Sequence, residues 1–326
     1  MRIAIIGAGW TGCHLAATLM KEHEIILIDK EGQPFCGTSQ INQNRLHLGY
    51  HYARNKATRD MCRNTFARFM QDYGHLTDGM NNNFYAVPQN ESLLDYGTIA
   101  QIFSDGWEHE EVSASFLLQT EAVIRTQERF ISPLAAQRFF ADLLKDVLWQ
   151  EDTKQSDING LKEKYDLVLD CTNNTLLRPL HNDYFETVAM FLYSKKKTLP
   201  FDALTYIDGP LFSFYPYEHG LVSFSHVEDS IIDAAKMPIA CYPCSTTKLK
   251  QARERAELHA RLYWPSMNDY LSYEETVVSM KSKRANASAY RAPLFRQQDN
   301  LLSIFTGKIQ GIYAIEERVR QTIQGL

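Results

Sequence analysis

The sequence predicts an α/β fold in which a domain with a parallel sheet, built from separated segments, carries an inserted β-rich domain. Three observations predict it. The chain opens with a strand, a glycine turn, a helix and a second strand; it closes with another strand, glycine turn and helix; and short strands bounded by turn residues fill much of the middle. A chain of 326 residues has room for about two domains.

The composition is that of a globular protein, with 44% hydrophobic and 22% charged residues. A net charge of −5 does not favour polyanions, so nucleic acid is not expected as a partner. No apolar run reaches the roughly 18 residues of a membrane span, and glycines interrupt the apolar N-terminus too early for a signal peptide. The six scattered cysteines form no dense disulfide framework. These features favour a reduced, cytoplasmic compartment.

Metal binding is not expected from the sequence. Cys241-Tyr-Pro-Cys244 is a single CxxC without a second pair, which favours incidental thiols over a metal or redox site. No other spacing of His, Cys, Asp or Glu resembles a metal cluster.

The N-terminal segment carries the most specific motif. Arg2–Ile6 is a short β-type run, the turn Gly7-Ala8-Gly9-Trp10-Thr11-Gly12 follows at once, and Cys13–Met20 has helical spacing. The glycines of such a turn allow a tight bend, close approach of the backbone to a pyrophosphate, and close packing of helix on strand. The helix start adds N–H groups and the positive end of its dipole.

An acidic residue completes this unit. The second apolar run, Glu24–Ile28, ends in Asp29, about 20 residues after Gly7, where an acid accepts hydrogen bonds from ribose hydroxyls. The full context of strand, turn, helix, strand and acid favours a dinucleotide site over a chance glycine turn. An acid at this place favours FAD or NAD over NADP.

The C-terminal segment adds a second glycine turn. Leu301–Phe305 is an apolar run, Thr306-Gly307-Lys308 is a turn, and Ile309–Ile323 has the spacing of a closing helix. Together with the opening turn, this unit resembles FAD-dependent oxidoreductases of the D-amino-acid-oxidase and glycine-oxidase type. In that family the late turn lies against the ribityl chain and pyrimidine edge of the flavin. The resemblance implies FAD as cofactor and a Rossmann-like FAD-binding domain.

Two internal segments agree with the family. Ala122–Arg125 resembles the strand whose backbone clamps the adenine, and Tyr165–Cys171 resembles the strand that ends near the flavin. After the latter, Thr172-Asn173-Asn174 stands in place of the family's Ala-Thr-Gly. The residues expected to contact FAD are Gly7, Gly9, Thr11, Gly12, Asp29, Lys30, Arg45, Leu46, Val123, Thr172, Gly307, Lys308 and Ile309.

The remaining elements follow from apolar spacing and turn residues. Helices are predicted at Arg54–Tyr73, Ser132–Leu148, Thr247–Tyr263 and Asp269–Lys281. Strands are predicted at Phe185–Ser194, Leu204–Ile207, Leu211–Tyr215 and Leu221–His226. We expect residues 1–60, 112–176 and 284–326 to form the FAD-binding domain, and residues 61–111 and 177–283 to form the substrate domain.

The stretch Asn44–Tyr52 is rich in polar rings, with two His, two Tyr and one Arg in nine residues. A single histidine is more often a buried, hydrogen-bonded core residue, but the cluster favours a flat ring packed on this loop. His47 and His51 are candidates to bind flavin or substrate, and His47 also to tether flavin covalently. Arg45 is a candidate to hold a phosphate or a substrate anion. The loop is also similar to the glycine–histidine loop of UDP-galactopyranose mutases.

Two segments are candidates for the substrate side. Tyr215 ends an aromatic strand, and it either packs in a core or lines a pocket over the flavin. Arg291 lies in Ser288–Pro293, shortly before the last strand, where an Arg-Pro-like segment of amino-acid oxidases binds the substrate carboxylate. A guanidinium grips a carboxylate bidentately, whereas a place on the surface is the ordinary alternative for an arginine.

These features predict an amine-oxidase-like FAD-dependent oxidoreductase. It would oxidise a C–N bond of an amino acid or related amine, with hydride transfer to flavin N5. Two alternatives stay open: a flavoenzyme that acts on a sugar or nucleotide sugar, and a flavin-binding protein without catalysis. The expected partner is a small-molecule or anionic substrate, and a homo-oligomer is left open.

Overall fold

The computed structural model describes residues 1–177, 183–236, 244–284 and 291–326. In these ranges the helices are α1 Trp10–Leu19, α2 Lys56–Tyr73, α3 Tyr96–Phe103, α4 Pro133–Leu144, α5 Ile158–Lys164, α6 Thr246–Tyr263, α7 Met267–Tyr270 and α8 Ile312–Gln324. The strands are β1 Arg2–Ile6, β2 Glu24–Asp29, β3 Arg45–Leu46, β4 Thr77–Gly79, β5 Asn83–Pro88, β6 Glu110–Glu111, β7 Thr120–Thr126, β8 Arg129–Ile131, β9 Leu148–Gln150, β10 Leu167–Asp170, β11 Asp183–Lys195, β12 Ala203–Tyr206, β13 Phe212–Pro216, β14 Val222–His226, β15 Ile231–Ala235, β16 Leu271–Arg284, β17 Leu294–Gln298 and β18 Leu301–Phe305.

A six-stranded sheet in the order β17-β18-β10-β1-β2-β9 forms the base of the molecule. Its strands are parallel except for β17, which pairs antiparallel with β18 at one edge. Both faces are covered: α1, α4 and α8 bury residues such as Leu15, Phe140 and Ile315 on one face, and Ile158 of α5 packs on the other. Helices on both faces of a parallel sheet confirm the predicted α/β, Rossmann-like class.

The second sheet has nine strands and is mainly antiparallel. Its order is β15-β11-β14-β13-β12-β5-β7-β6, with β16 also paired to β11. Aromatic side chains pack between this sheet and α6; the rings of Phe214 and Phe224, for example, stack with centroids 4.5 Å apart. A three-stranded sheet, β3-β8-β4, carries the start of Asn44–Tyr52, the histidine-containing loop.

One predicted helix is wrong. Asp269–Lys281 was expected to be helical, but apart from the short α7 this segment belongs to β16. β16 pairs antiparallel with β11 from Leu271 opposite Lys195 to Arg284 opposite Asp183. The β-branched run Thr276-Val277-Val278 suits this long ladder, and pairing with a distant strand outweighs the local helix preference of the glutamates before it.

The strand predicted to clamp the adenine lies outside the parallel sheet, and the contact of Val123 with FAD stays a prediction. Val123 lies in β7, which pairs with β5 in the nine-stranded sheet, and it packs in the aromatic core of that sheet. The strand beside β2 is instead β9, which begins at Leu148, the last residue of the predicted helix. The helix before it ends at Leu144, because the chain must turn there to add an edge strand to the parallel sheet.

Two segments cross the predicted domain boundaries. β7 was assigned to the FAD-binding domain but joins the nine-stranded sheet. α2 was assigned in part to the substrate domain, but Phe69 and Tyr73 pack against Trp10 in the core of the parallel sheet. The division into two domains stays a prediction.

Cys241 of the CxxC motif and Ser288–Tyr290 lie outside the described residues. Among the helices that the structure describes, none is both long enough and apolar enough to cross a membrane.

Candidate active site

Four turns meet at the carboxyl edge of the parallel sheet. They follow β18, β10, β1 and β2, which are four consecutive strands of the sheet. The hydroxyl oxygens of Thr11 and Thr306 lie 2.6 Å apart, so the early and late turns touch although 295 residues separate them. A Cβ on Gly7 would lie 3.0 Å from the carbonyl oxygen of Cys171, so the turn after β10 adjoins them as well.

The first turn fits a pyrophosphate group. Gly7 has a φ of +100°, which favours glycine, and a Cβ on Gly12 would lie 1.9 Å from the carbonyl oxygen of Gly7. Helix α1 then begins at Trp10; its N-cap residue, Gly9, has no side chain to cap it, and its first turn has no acid. The N–H of Trp10 donates to the hydroxyl of Ser39 at 3.1 Å, which leaves the next N–H groups of the first turn to face the edge of the sheet, where they can bind phosphate.

Asp29 lies beside this turn at the end of β2. One carboxylate oxygen accepts the N–H of Ala8 at 2.7 Å, and the other accepts the N–H of Glu31 at 3.0 Å. These bonds fix the acid next to the glycine turn. The side chain of Lys30 is exposed and pairs with Glu31 at 3.5 Å, and its contact with FAD stays a prediction.

The turn after β10 uses its hydroxyl internally. Thr172 donates both its N–H, at 3.0 Å, and its hydroxyl, at 2.6 Å, to one oxygen of Asp170. Burial raises the pKa of the Asp170 carboxyl. Asn173 and Asn174 follow with φ values of +58° and +68°, and Asn174 donates to the hydroxyl of Ser282 in β16 at 3.2 Å. This turn thus joins the two large sheets.

Glu128 organises the histidine-containing loop, and the sequence prediction missed it. Its side chain is 0% exposed, yet it accepts hydrogen bonds from the N–H groups of Leu48 and Gly49 and from the hydroxyl of Tyr85. Its second oxygen also lies 3.3 Å from Nδ1 of His47. Only the fold reveals this role, because a lone acid between two strands is normally exposed.

The two histidines of the loop lie in partial stacking, with ring centroids 5.8 Å apart and planes at 26°. Burial, together with nearby positive charges, lowers the pKa of His51 well below its ordinary value. Nδ1 of His51 and the hydroxyl of Tyr52 are buried without a hydrogen-bond partner in the described residues. Such orphaned polar atoms are expected where a bound group completes the hydrogen bonding.

Arg45 lies on the other side of the loop. Its guanidinium donates to the hydroxyl of Thr205 and to the side-chain oxygen of Gln43, each at 2.7 Å, and it lies 4.3 Å from the ring centroid of Tyr215. Tyr215 is fully buried, and its hydroxyl donates to the carbonyl of Arg129 at 3.2 Å. The structure therefore makes Tyr215 a support for Arg45 rather than a catalytic group with a free hydroxyl.

Leu46 and Ile309 contribute apolar packing at this site. The side chain of Leu46 is fully buried in the core of the parallel sheet, and Ile309 packs against the same core. Any contact of Leu46 with a cofactor would therefore come from its backbone.

Two lysines bring further positive charge to the same region. Burial and then the charge of Arg291 are the main causes that lower the pKa of Lys308 to about 7. Burial and then Lys283 lower the pKa of Lys281 to about 8. The positive charge of Arg45 also acts to lower the pKa of both lysines, so their ammonium groups share one region. Lys281 was missed because its strand was predicted as a helix.

Arg291 reaches this region from the segment before the last strand. It is half-buried, and its N–H donates to the hydroxyl of Thr58 at 3.2 Å. The positive charge of Arg291 acts to lower the pKa values of His51, Tyr52 and Lys308. Gly307 packs directly on this segment, since a Cβ there would lie 2.3 Å from the carbonyl oxygen of Arg291.

Comparison with known proteins decides the family. A sequence model described as "FAD dependent oxidoreductase", the DAO family, matches residues 2–128. The FAD-dependent monooxygenase FPY4 of Fusarium mangiferae is 30% identical over 346 aligned residues, which cover 98% of this chain and 90% of that protein. The chain belongs to the DAO family of FAD-dependent oxidoreductases. The FAD-dependent monooxygenase kojA of Aspergillus flavus is 25% identical, with 98% of this chain and 85% of kojA covered.

Solved structures of low sequence identity share the fold of this DAO-family enzyme. Glycine oxidase from Geobacillus kaustophilus superposes with a TM-score of 0.72 at 10% identity, covering 99% of this chain and 95% of that one. L-proline dehydrogenase from P. horikoshii superposes with a TM-score of 0.67 at 14% identity, covering 99% and 92%.

The residues of this DAO-family enzyme fit FAD. The glycine cradle and the first turn of α1 suit the pyrophosphate, and Asp29 lies beside them at the end of β2. The orphaned atoms of His51 and Tyr52, together with the ammonium of Lys308, suit the polar edge of a flavin or a ligand next to it. When bound, the flavin supplies an acceptor for hydride.

Proposed function

We propose that this flavoenzyme oxidises a carbon–nitrogen bond of an amino acid or related amine whose carboxylate binds in the cationic region of the site. The observation that carries the proposal is the convergence of four cationic side chains on the histidine-containing loop, namely Arg45, Lys281, Arg291 and Lys308. Charges of one sign raise each other's energy when they are partly buried, so an anionic ligand is strongly favoured there.

Arg291 is the proposed anchor of the carboxylate. It comes from a segment that packs on the late glycine turn, and its charge reaches both His51 and Lys308. A guanidinium can hold a carboxylate through two parallel hydrogen bonds, which fixes the substrate's orientation as well as its position. Orientation is the main demand of hydride transfer, because the cofactor supplies the electron chemistry.

The environment around the histidines supports proton removal. His47 and Tyr52 are buried, with 4% and 5% exposure, so a substrate here would lie largely outside bulk water. Burial is the main cause that lowers the pKa of His47 to about 4, and its imidazole is therefore neutral at neutral pH. The same burial and positive charge favour the neutral amine of a substrate, which is the form that is oxidised, and a neutral imidazole can accept a hydrogen bond from that amine.

A second candidate function is monooxygenation. The names of the relatives FPY4 and kojA, each aligned with 98% of this chain, favour it. A monooxygenase would place one oxygen atom from O₂ in its product and would need a separate reductant. The cationic region would still bind an anionic substrate in that case, so geometry alone does not separate the two candidates.

The test uses the purified, FAD-loaded protein without oxygen. We expect amino acids and related carboxylate-bearing amines to bleach the oxidised flavin, while their esters, matched in carbon skeleton but lacking the negative charge, bleach it far more slowly. Bleaching only by sugars or nucleotide sugars would overturn the proposal. Bleaching only by a nicotinamide reductant would instead establish monooxygenation if isotopically marked O₂, admitted afterwards, labels the product.

A further inference from the structure

Two histidines outside the candidate active site tie helix α6 to strand β14. Nε2 of His226, at the end of β14, lies 2.8 Å from Nδ1 of His259 in α6. On the other side of the second ring, Nε2 of His259 lies 2.8 Å from Oε2 of Glu91, in the loop between β5 and α3. Tyr263, one turn further along α6, donates its hydroxyl to the same oxygen at 2.8 Å. We call His226 and His259 the histidine pair; with Glu91 it joins three separate elements.

The β14 end of this chain of bonds fixes the hydrogen of His226. Nδ1 of His226 accepts the backbone N–H groups of Glu228 at 3.2 Å and of Asp229 at 3.0 Å, so it carries no hydrogen. A neutral ring then has its hydrogen on Nε2, which is the nitrogen that faces His259. His226 is therefore the donor within the pair.

The Glu91 end independently fixes the hydrogen of His259. Hydrogen bonds from Tyr263 and then His259 are the main causes that hold the pKa of Glu91 below its ordinary value, so Glu91 is an ionised acceptor at neutral pH. Nε2 of His259 must then donate, which leaves Nδ1 as an acceptor. Both ends require the same order of donors and acceptors, so the neutral pair forms a continuous chain of bonds from His226 to Glu91.

An added proton does not fit this chain. On Nδ1 of His259 it would face the N–H of His226, and on Nδ1 of His226 it would face two backbone N–H groups. Two carboxylates do favour a proton: Glu91, and Asp229, whose Oδ2 lies 3.5 Å from Nδ1 of His226 and which also pairs with Arg255 at 2.7 Å. Burial outweighs them, since it is the main cause that lowers the pKa of His226.

The packing of α6 makes these polar bonds important. The buried side chains of α6 are Tyr263 and three alanines, and alanines bury little apolar surface. The rings of His259 and Tyr263 pack on Phe212 of β13, with centroid distances of 5.9 Å and 5.8 Å. The end of α6, residues 259–263, is thus held by the two side chains that bind Glu91.

We propose that the histidine pair is a pH-sensitive contact, closed when both rings are neutral and opened when one ring takes a proton, which frees residues 259–263 of α6 from β14 and Glu91. The inference does not rest on the reaction proposed above. In the open state each imidazole has its ordinary pKa of about 6.5, whereas the closed state resists a proton. The open state therefore binds more protons below that pH and gains population as the pH falls.

The first experiment tests the order of donors and acceptors at neutral pH. NMR of the FAD-loaded protein, isotopically labelled at its histidine nitrogens, reports which nitrogen of each ring carries hydrogen, and the His226→Gln variant assigns the signals. We expect hydrogen on Nε2 of both rings, with a spin coupling across the bond from Nε2 of His226 to Nδ1 of His259. Hydrogen on Nδ1 of either ring overturns the proposal.

The second experiment follows the opening by hydrogen exchange of the FAD-loaded protein. After correction for the intrinsic effect of pH on exchange, we expect residues 259–263 to exchange roughly tenfold faster or more at about pH 5 than at about pH 7.5, because an ordinary imidazole is mostly protonated at the lower pH. Strands β1 and β10, which pair in the centre of the parallel sheet, should keep their protection. Unchanged exchange in residues 259–263, or an equal loss in β1 and β10, overturns the proposal.

His226→Gln is the variant that should remove the pH response. Its amide can donate to Nδ1 of a neutral His259 and, after turning over, accept from a protonated one, so a proton no longer opens the contact. We expect residues 259–263 to exchange no faster at about pH 5 than at about pH 7.5. A wild-type pH response in this variant overturns the proposal. If His226→Gln does not fold, His226→Asn, whose oxygen can still accept the N–H groups of Glu228 and Asp229, carries the same comparison.

The matched control is His219→Asn, in the turn before β14. His219 is exposed and has a φ of +57°, a conformation that asparagine also adopts. We expect this variant to show the wild-type pH response. Loss of the response in His219→Asn as well would mean that any histidine substitution removes it, and the proposal would fail.

Discussion

Arg291 combines the chemistry and the place that a substrate anchor needs, so it carries the first prediction. Arg291→Lys keeps the charge but loses the planar pair of donors, and we expect kcat/KM to fall about tenfold or more, the effect of losing one charge-assisted hydrogen bond. Bound FAD, measured by its absorbance, should not change. The reduction assay of the proposed function supplies the kinetics.

Arg318→Lys in α8 is the control for that substitution. Arg318 is exposed and makes one long contact, 3.5 Å, with the side chain of Gln297. It should behave as the wild type. If Arg291→Lys also has wild-type kinetics, the substrate carboxylate binds elsewhere and Arg45 becomes the next candidate.

The glycine turn gives a second prediction for single residues. Gly9→Val should abolish FAD binding, because a side chain there meets the hydroxyl of Ser39 at 2.9 Å and blocks the approach of the pyrophosphate. Asp29→Ala should weaken FAD binding less, by about 1–3 kcal/mol, as it removes ribose hydrogen bonds and loosens the N–H of Ala8.

Gly160→Val in α5 is the matched glycine variant, because a Cβ at Gly160 meets nothing within 4 Å. Titration of each FAD-depleted variant with FAD measures the difference. Wild-type affinity in Gly9→Val would show that the turn after β1 does not hold the pyrophosphate.

At the scale of elements, one amide joins three segments that hold the site. Gln310 binds both backbone groups of His47 and also the carbonyl of Cys62, and it is 1% exposed. Gln310→Ala leaves these buried groups without partners, so we expect the free energy of unfolding to fall by about 3 kcal/mol. Urea unfolding measures it. Gln297→Ala, on the exposed edge strand β17, should change it by less than about 0.5 kcal/mol.

The elements also show what a single sequence can and cannot predict. The strands β1, β2, β10 and β18 and the turns after them were predicted because each is signalled locally, by an apolar run and then glycine or an acid. β16 was not, because its state depends on pairing with β11, which lies far away in the chain. Lys281 was lost with it. Glu128 was missed for the same reason: its four hydrogen-bond partners come from the loop after β3 and from β5, which only the fold brings together.

At the scale of the whole molecule, the site depends on the strand order, which brings distant parts of the chain together, as much as on local motifs. The order of strands brings β1, β10 and β18 side by side, so turns from the beginning, middle and end of the chain share one edge. The nine-stranded sheet then brings β16 and Tyr215 to the same place. The sequence predicted the first convergence from a known rule for parallel sheets. It did not predict the concentration of positive charge that results when the nine-stranded sheet meets the same edge.

That concentration of charge predicts how stability depends on pH. In the folded chain the pKa of Lys308 is lowered to about 7 by burial and by Arg291, whereas an unfolded chain keeps the ordinary value of about 10.4. Between these two values the unfolded state binds more protons than the folded state, so the free energy of unfolding rises with pH. This lysine therefore lowers the free energy of unfolding by its full amount below about pH 7, and the effect disappears as the pH approaches about 10.

Lys308→Met removes the titrating group, and the FAD-free protein is the form in which to measure the effect. Its free energy of unfolding in urea, compared with that of the wild type, should be higher near pH 7, and the difference should decline steadily toward pH 10. Lys30→Met, at an exposed lysine that pairs only with Glu31, should follow the wild type at every pH. A difference between Lys308→Met and wild type that does not change with pH would mean that Lys308 keeps an ordinary pKa. The positive charges of the site would then be too far apart to act on one another, and the main support for an anionic substrate would be lost.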